Sequence, residues 1–167
     1  MADSGGQGGR ARRADVLRLE AFLPYRLMML AEQVSQSLAR IYGRRHHLAN
    51  PEWRVLAALG QHGRMTATEI GRHSRMHKTK VSRAVAELER RGLLVRTTSD
   101  VDLRVLHLAL TEAGRAVYDD IVPLAVTFAA DLAADLSPED AAALDRILAT
   151  LMQQASAGEA AGGDAAS

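Results

Sequence analysis

The segment from Arg64 to Gly114 constrains the fold most, because within it the apolar period changes from that of a helix to that of a strand. Thr66-Ala67-Thr68-Glu69 reads as a capping box, with the Thr66 hydroxyl and the Glu69 carboxylate serving free N–H groups at a helix start. A short helix to about Ser74 follows, Arg75 to Lys78 interrupts, and Val81, Ala84, Val85 and Leu88 mark another helix that stops at Gly92 as a C-terminal cap. Beyond Gly92, Leu94, Arg96 and Thr98 alternate against Leu93, Val95 and Thr97. Leu106, Leu108 and Leu110 then alternate against Val105, His107 and Ala109, with Ser99 to Leu103 as the turn. Two short helices joined by a tight turn and followed by a hairpin make a helix-turn-helix with a wing.

Longer helical patterns flank this segment. Leu23, Leu27, Leu30, Val34, Leu38 and Ile41 fall at spacings of three and four and draw one stripe down a helix of about 25 residues from Leu17 to Tyr42. Asn50-Pro51-Glu52 is a start signal with Asn as N-cap and Pro at the first helical position, for a helix carrying Trp53, Val55, Leu56 and Leu59. Thr111 can cap a helix through Val117, Ile121, Leu124, Phe128 and Leu132 to Leu136, with Pro123 expected to bend it. Ser137-Pro138-Glu139-Asp140 starts one more, striped by Ala141, Leu144, Ile147, Leu148 and Leu151. The expected fold class is mainly α with a small β-hairpin wing: a winged helix-turn-helix over 49–114, an N-terminal dimerisation helix over 15–48 and C-terminal dimerisation helices over 115–154. Residues 1–14 and 155–167 have no apolar period and are expected to be disordered tails. The terminal helices carry more apolar face than a small central module can cover, which implies a second copy of the chain.

With 167 residues and 47% apolar content the chain can build a core unaided, and without cysteine it has no disulfide, thiolate metal site or thiol switch. No stretch approaches the roughly 18 apolar residues of a membrane span, so a soluble, cytoplasmic protein is expected. The net charge of +1 hides a partition. Cations outnumber anions nine to five in residues 1–63 and ten to six in 64–114, whereas anions lead nine to two in 115–167. Such a chain can turn a positive face toward double-stranded DNA while its acidic end points elsewhere.

A recognition helix enters the major groove by its N-terminal end, so its early exposed residues should be cationic or hydrogen-bonding. Arg75, His77, Lys78, Thr79, Lys80, Ser82 and Arg83 precede or interleave with Val81, Ala84 and Val85 and are the candidate DNA contacts. Arg83 is assigned to a guanine edge, and Lys78, Thr79 and Lys80 to phosphate or shared roles. Arg104, at or just past the hairpin tip, can enter an adjacent minor groove, and Asp102 can hold its guanidinium in one rotamer. The bland alternatives are a solvated helix face and an ordinary turn ion pair.

Asp102-x-Arg104 followed by Leu108-Ala109-Leu110-Thr111-Glu112-Ala113-Gly114 after a helix-turn-helix resembles the MarR family of bacterial winged-helix regulators, over about residues 17–152. The resemblance implies a homodimer built on the terminal helices, two winged lobes on a pseudo-palindromic operator, Lys78 to Arg83 in the major groove, Arg104 as the wing arginine and Asp102 as its orienting partner. His77 departs from the family pattern, in which an acid or a small cap stands there. Leu23-Pro24-Tyr25-Arg26-Leu27 and Pro51-Glu52-Trp53-Arg54-Val55-Leu56 are similar to a subgroup sensing aromatic acids or their coenzyme A thioesters.

The resemblance also implies a small-molecule effector between the dimer helices and the lobe. The candidates are Arg26, Arg40, Tyr42, Arg44, Arg45, His46, His47, Trp53 and Arg54, since an anionic effector wants an arginine beside a ring. Trp53 as core and Tyr42 as interface are the structural alternatives. No cofactor or metal is expected: His73 and His77 flank the turn and lack the acid of an H-E-x-x-H site. Nothing in the chain has the spacing of a catalytic motif, which argues against an enzyme. The competing function is a helical protein-interaction module with a basic surface and no operator.

Overall fold

The computed structural model describes residues 17–98 and 106–163, with side chains described as far as residue 157. A 3-10 turn, Leu19–Ala21, precedes α1 (Leu23–His46), α2 (Asn50–His62), α3 (Ala67–Ser74), α4 (Lys78–Arg90), β1 (Leu94–Thr98), β2 (Leu106–Leu110), α5 (Glu112–Leu132) and α6 (Pro138–Gly163). The expected turn at Ser99–Leu103 and the tail over 1–14 lie outside the described residues.

Several boundaries differ from the sequence reading, among them the end of α1, at His46 rather than Tyr42, and the end of α5, at Leu132 rather than about Leu136. The first helix starts at Leu23, because Pro24 has no N–H to donate and its ring fits only the first turn. Ala49, not Asn50, is the N-cap of α2: its N–H donates to the Glu52 carboxylate at 2.8 Å, while the Asn50 amide turns away to the Ser35 hydroxyl on α1. Helix α6 continues to Gly163, past residue 155 where a tail was expected, because the alanine-rich extension is added to an existing helix and needs no new nucleation. Helix α5 runs on through Pro123.

Strands β1 and β2 pair antiparallel with Leu94 opposite Leu110, Arg96 opposite Leu108 and Thr98 opposite Leu106. Met65, just before α3, adds a bridge on the outer side of β2: its N–H donates to Leu108 O at 3.1 Å and its carbonyl accepts from Leu108 N–H at 2.7 Å. The hairpin is thereby bonded to the helix-turn-helix at its base.

The core lies within the lobe. Val55, Leu56 and Leu59 of α2, Ile70 of α3, Val81, Ala84, Val85 and Leu88 of α4, and Leu94 and Leu108 of the hairpin are buried together with Met65 and Met76. Among the described residues, Tyr42 from α1 and Ile121 from α5 are the only hydrophobic side chains of the long helices that join them as buried, with Gly114 buried at the start of α5. Met28, Leu30, Val126, Leu132, Ile147 and Met152 stay exposed, and none of the described side chains of α6 is buried. The long helices therefore carry apolar faces that this chain does not cover.

The Leu-Thr-x-x-Gly segment joins lobe to α5. The Thr111 hydroxyl accepts from Gly114 N–H at 3.0 Å, capping α5, and donates to Gly92 O at 2.7 Å, while Thr111 N–H donates to Leu93 O at 3.2 Å. Gly92 itself takes φ +70°, the left-handed turn that glycine adopts without strain. A Cβ on residue 114 would stand 1.9 Å from the Leu93 carbonyl oxygen, so glycine is required by the backbone approach. Gly114→Ala is expected to lower unfolding free energy by about 1–3 kcal/mol, the range for forced overpacking, as measured by urea denaturation.

Candidate nucleic-acid interface

The candidate recognition helix α4 begins at Lys78 after a left-handed Arg75 (φ +48°) closes α3. The Met76 N–H returns to Gly71 O at 3.0 Å and its side chain is buried, which fixes the turn. His77 is the N-cap: its carbonyl accepts from Lys80 N–H at 2.9 Å and Val81 N–H at 3.1 Å, and its imidazole makes no cap bond. The cap therefore works through extended backbone alone.

With Val81, Ala84, Val85 and Leu88 buried, His77, Lys78, Thr79, Lys80, Ser82 and Arg83 are all exposed on the remaining face. Their charges are uncommitted: among the described residues Lys78, Lys80 and Arg83 make no hydrogen bond or ion pair within the chain. The C-terminal half of the helix is the opposite. Arg90 pairs with Glu87, and Arg96 of β1 donates to both oxygens of Glu89 at 3.0 and 3.1 Å. Glu87 is held below its usual carboxylate range by the Arg90 hydrogen bond. Cations near the start of α4 are thus available for an external polyanion, and those near its end hold the protein together.

A groove of about 510 Å³ separates α3 from α4, lined by Thr68, Arg72, Lys78, Ser82 and Arg96 over an apolar floor. Arg72 and Arg96 join this cationic face although sequence reading missed them. Arg96 becomes part of it only through the Glu89 pair across the Gly92 turn. Arg75 stands at the α3 end, where its guanidinium donates to the Ser156 hydroxyl of α6 at 2.9 Å and it lines a pocket with His77 and Lys80. Asp102 and Arg104 lie outside the described residues. At the start of α3 the Thr66 N–H donates to Glu69 Oε2 at 2.7 Å, and Glu69 N–H donates to the Thr66 hydroxyl at 3.2 Å. The Thr66 N–H and then the Thr66 hydroxyl, which donates to the same Oε2 at 2.9 Å, hold the Glu69 carboxyl below its ordinary range.

The effector candidates separate into groups. Trp53 is half-buried and stacks between Tyr42, at 5.6 Å between ring centroids, and Tyr118 at 6.3 Å, with Arg115 over the outer face of Tyr118. Tyr42, the interface alternative, belongs to this chain's own core at 1% exposure, because Trp53 covers its ring. Burial raises its phenol pKa, and Arg54 partly offsets that. Arg54 donates to Ser74 O at 3.1 Å and with Trp53 lines a cavity of about 380 Å³, which His62, His73, Arg75 and Met152 complete. His73 faces His62, with centroids 4.7 Å apart, rather than His77. Arg26 borders a separate groove beside the start of α1, and Arg40 donates to Ser37. The Arg45 guanidinium and the His46 Nε2 both bond Asp120 of α5. Arg26, Arg40 and His46 are not brought to the Trp53 and Arg54 cavity.

A family model described as MarR family matches residues 48–104. The crystal structure of a MarR family transcriptional regulator from Silicibacter pomeroyi DSS-3 is 31% identical, superposes with a TM-score of 0.72, and is covered over 98% of its length by 83% of this chain. The homoprotocatechuate degradative operon repressor of Escherichia coli is 25% identical over 92 residues, 55% of this chain, and the chain spans 62% of that repressor's length. BpsR of Bordetella bronchiseptica, whose DNA binding is regulated by 6-hydroxynicotinic acid, shares the fold at a TM-score of 0.73 and 19% identity, with 82% of this chain matched to 97% of that one.

The Arg45 and then the His46 hydrogen bond hold the Asp120 carboxyl below its usual range. A depressed carboxyl stabilises the fold at pH values above its unfolded pKa and loses that contribution as pH falls through the folded one. Asp120→Asn is therefore expected to lower the melting temperature at neutral pH, and the gap to the unsubstituted protein should close in melts below about pH 4. A gap that stays constant across that range would show the pair contributes nothing to stability.

Proposed function

The chain belongs to the MarR family, and from that premise we propose that it is a transcriptional regulator that binds double-stranded DNA as a homodimer and acts as a repressor. The observation that carries this is the half-helix division of charge on α4: three exposed cations, without partners among the described residues, stand on the face of that helix that packing leaves outward. A helix of this kind fits the major groove, with its first turns against base edges and phosphates. Arg83 is the guanine reader and Lys78, Thr79, Lys80 and Ser82 take phosphate or shared contacts. His77 and Arg75 flank the entry, and Arg104, oriented by Asp102, reaches the minor groove from the wing.

The exposed apolar faces of α1, α5 and α6 support a homodimer in which these helices hold two lobes about one duplex turn apart on a pseudo-palindromic operator. Repression is favoured over activation by the degradative operon repressor among the relatives. The effector is an aromatic or carboxylate-bearing small molecule, free or as its coenzyme A thioester. The cavity of Trp53 and Arg54 suits it, since an indole face and a guanidinium meet there beside the α3 end. Such a ligand releases DNA only by binding the released lobe geometry more tightly than the bound one. Among the described residues no helix is long and apolar enough to cross a membrane, and the regulator is assigned to the cytoplasm.

Fluorescence anisotropy tests the reading with duplex from the protein's own upstream region and with random duplex, each over a salt series. The expected result is preference for the upstream duplex and a steep fall of affinity with salt as counterions are released. Arg83→Ala should cost about 1–3 kcal/mol on the preferred duplex and much less on random DNA. Equal losses on both would remove the base-reading role. Absence of any salt-sensitive duplex binding by the unsubstituted protein would favour the protein-interaction module instead.

A further inference from the structure

Arg91 stands one residue past the end of α4, and its N–H closes the helix on Glu87 O at 3.1 Å. Its side chain leaves the lobe. Nη2 donates to His46 O at 2.7 Å and Nη1 to His47 O at 3.2 Å, and the guanidinium lies 4.0 Å from Glu52 Oε2. Both carbonyls belong to the end of α1, where His47 takes the left-handed cap conformation (φ +52°) and the helix exposes unpaired acceptors and the negative end of its dipole. Three quarters of the Arg91 side chain is out of solvent, so these charge-assisted bonds are shielded from water.

The same last turn of α1 is held from its other side. His46 gives its carbonyl to Arg91 at the C-cap of α4 and its imidazole to Asp120 of α5, and Arg45 bonds that same carboxylate. One residue is therefore gripped at two points by two helices with different duties. Helix α4 faces outward with its free cations, and α5 and α1 carry uncovered apolar faces. A shift of α5 along α1 must either break this node or drag the end of α4 with it.

We infer that Arg91 is a positioning residue: by fastening the end of the DNA-reading helix to the last turn of α1, it sets the angle between the lobe and the long helices. The inference rests on the reading of α4 as the DNA helix. It assigns Arg91 no contact with DNA, because eight residues separate it from Arg83, about 12 Å along a helix axis. Two cations on one helix then do unlike work, Arg83 on bases and Arg91 on geometry.

The chain has no cysteine, so Glu32→Cys on α1 and Ala86→Cys on α4, both exposed, give two unique spin-label sites. Labelled chains diluted into excess unlabelled protein report the α1-to-α4 distance within one chain by pulsed dipolar spectroscopy, with no need of DNA. Arg91→Ala and the milder Arg91→Gln should broaden or shift that distribution, and Arg91→Lys, which keeps a cationic donor, should recover much of the parent's. On a duplex enriched by the parent protein from a random library, Arg91→Ala should weaken binding about tenfold with an unchanged salt slope. An unaltered distance distribution in either folded variant would overturn the inference, as would a salt slope reduced by about one, the mark of a lost phosphate contact. Failure of the parent to bind any duplex would sink the DNA reading, and the label distances would still decide what Arg91 holds.

Discussion

The burial of four α4 side chains, Val81, Ala84, Val85 and Leu88, against the α2 residues of the lobe governs the rest of the structure. Burying each of the two valines and the leucine is worth about 1.5–3 kcal/mol relative to exposure, which fixes the rotation of α4 about its axis more firmly than any surface charge can. Once that rotation is set, Lys78, Lys80 and Arg83 have nowhere to point but outward. The interface is in this sense a by-product of packing. Its chemistry is written on the positions that the core does not use.

A second layer of polar contacts sets how α4 stands against its neighbours. Glu89 holds Arg96 and so ties the hairpin to the helix, the Thr111 hydroxyl binds Gly92 O, and Arg91 closes on the end of α1. Each joins elements remote from one another in sequence or separated by a glycine turn. None adds to the apolar core. Their shared effect is orientation.

The long helices present the complementary case. Their stripes are apolar and regular, yet of the hydrophobic side chains of α1 and α5 only Tyr42 and Ile121 are buried. A stripe of that size left in water is costly, and a second copy that covers it gains the same energy that folds the lobe. Folding and dimerisation in such a chain draw on one kind of surface, divided between the inside of one lobe and the seam between two chains.

Some of this was legible residue by residue. The capping box of Thr66 and Glu69, the caps of Thr111 and Ser137, and the change of period at Gly92 depend on bonds between residues three or four apart, or on side-chain alternation along one segment. The sequence states such relations directly. It could not tell that Asn50 would leave its cap for Ser35, that Tyr42 would lie under Trp53, or that Arg83 and Arg91, chemically identical on one helix and its cap, would differ in having partners. Those outcomes depend on which carbonyl, ring or carboxylate arrives from another helix, and only the packed chain brings them together. Local hydrogen bonds and periodicity determined the elements and the exposed basic face of α4; long-range contacts decided which of its charges remain free, because they depend on which partner another helix brings within reach.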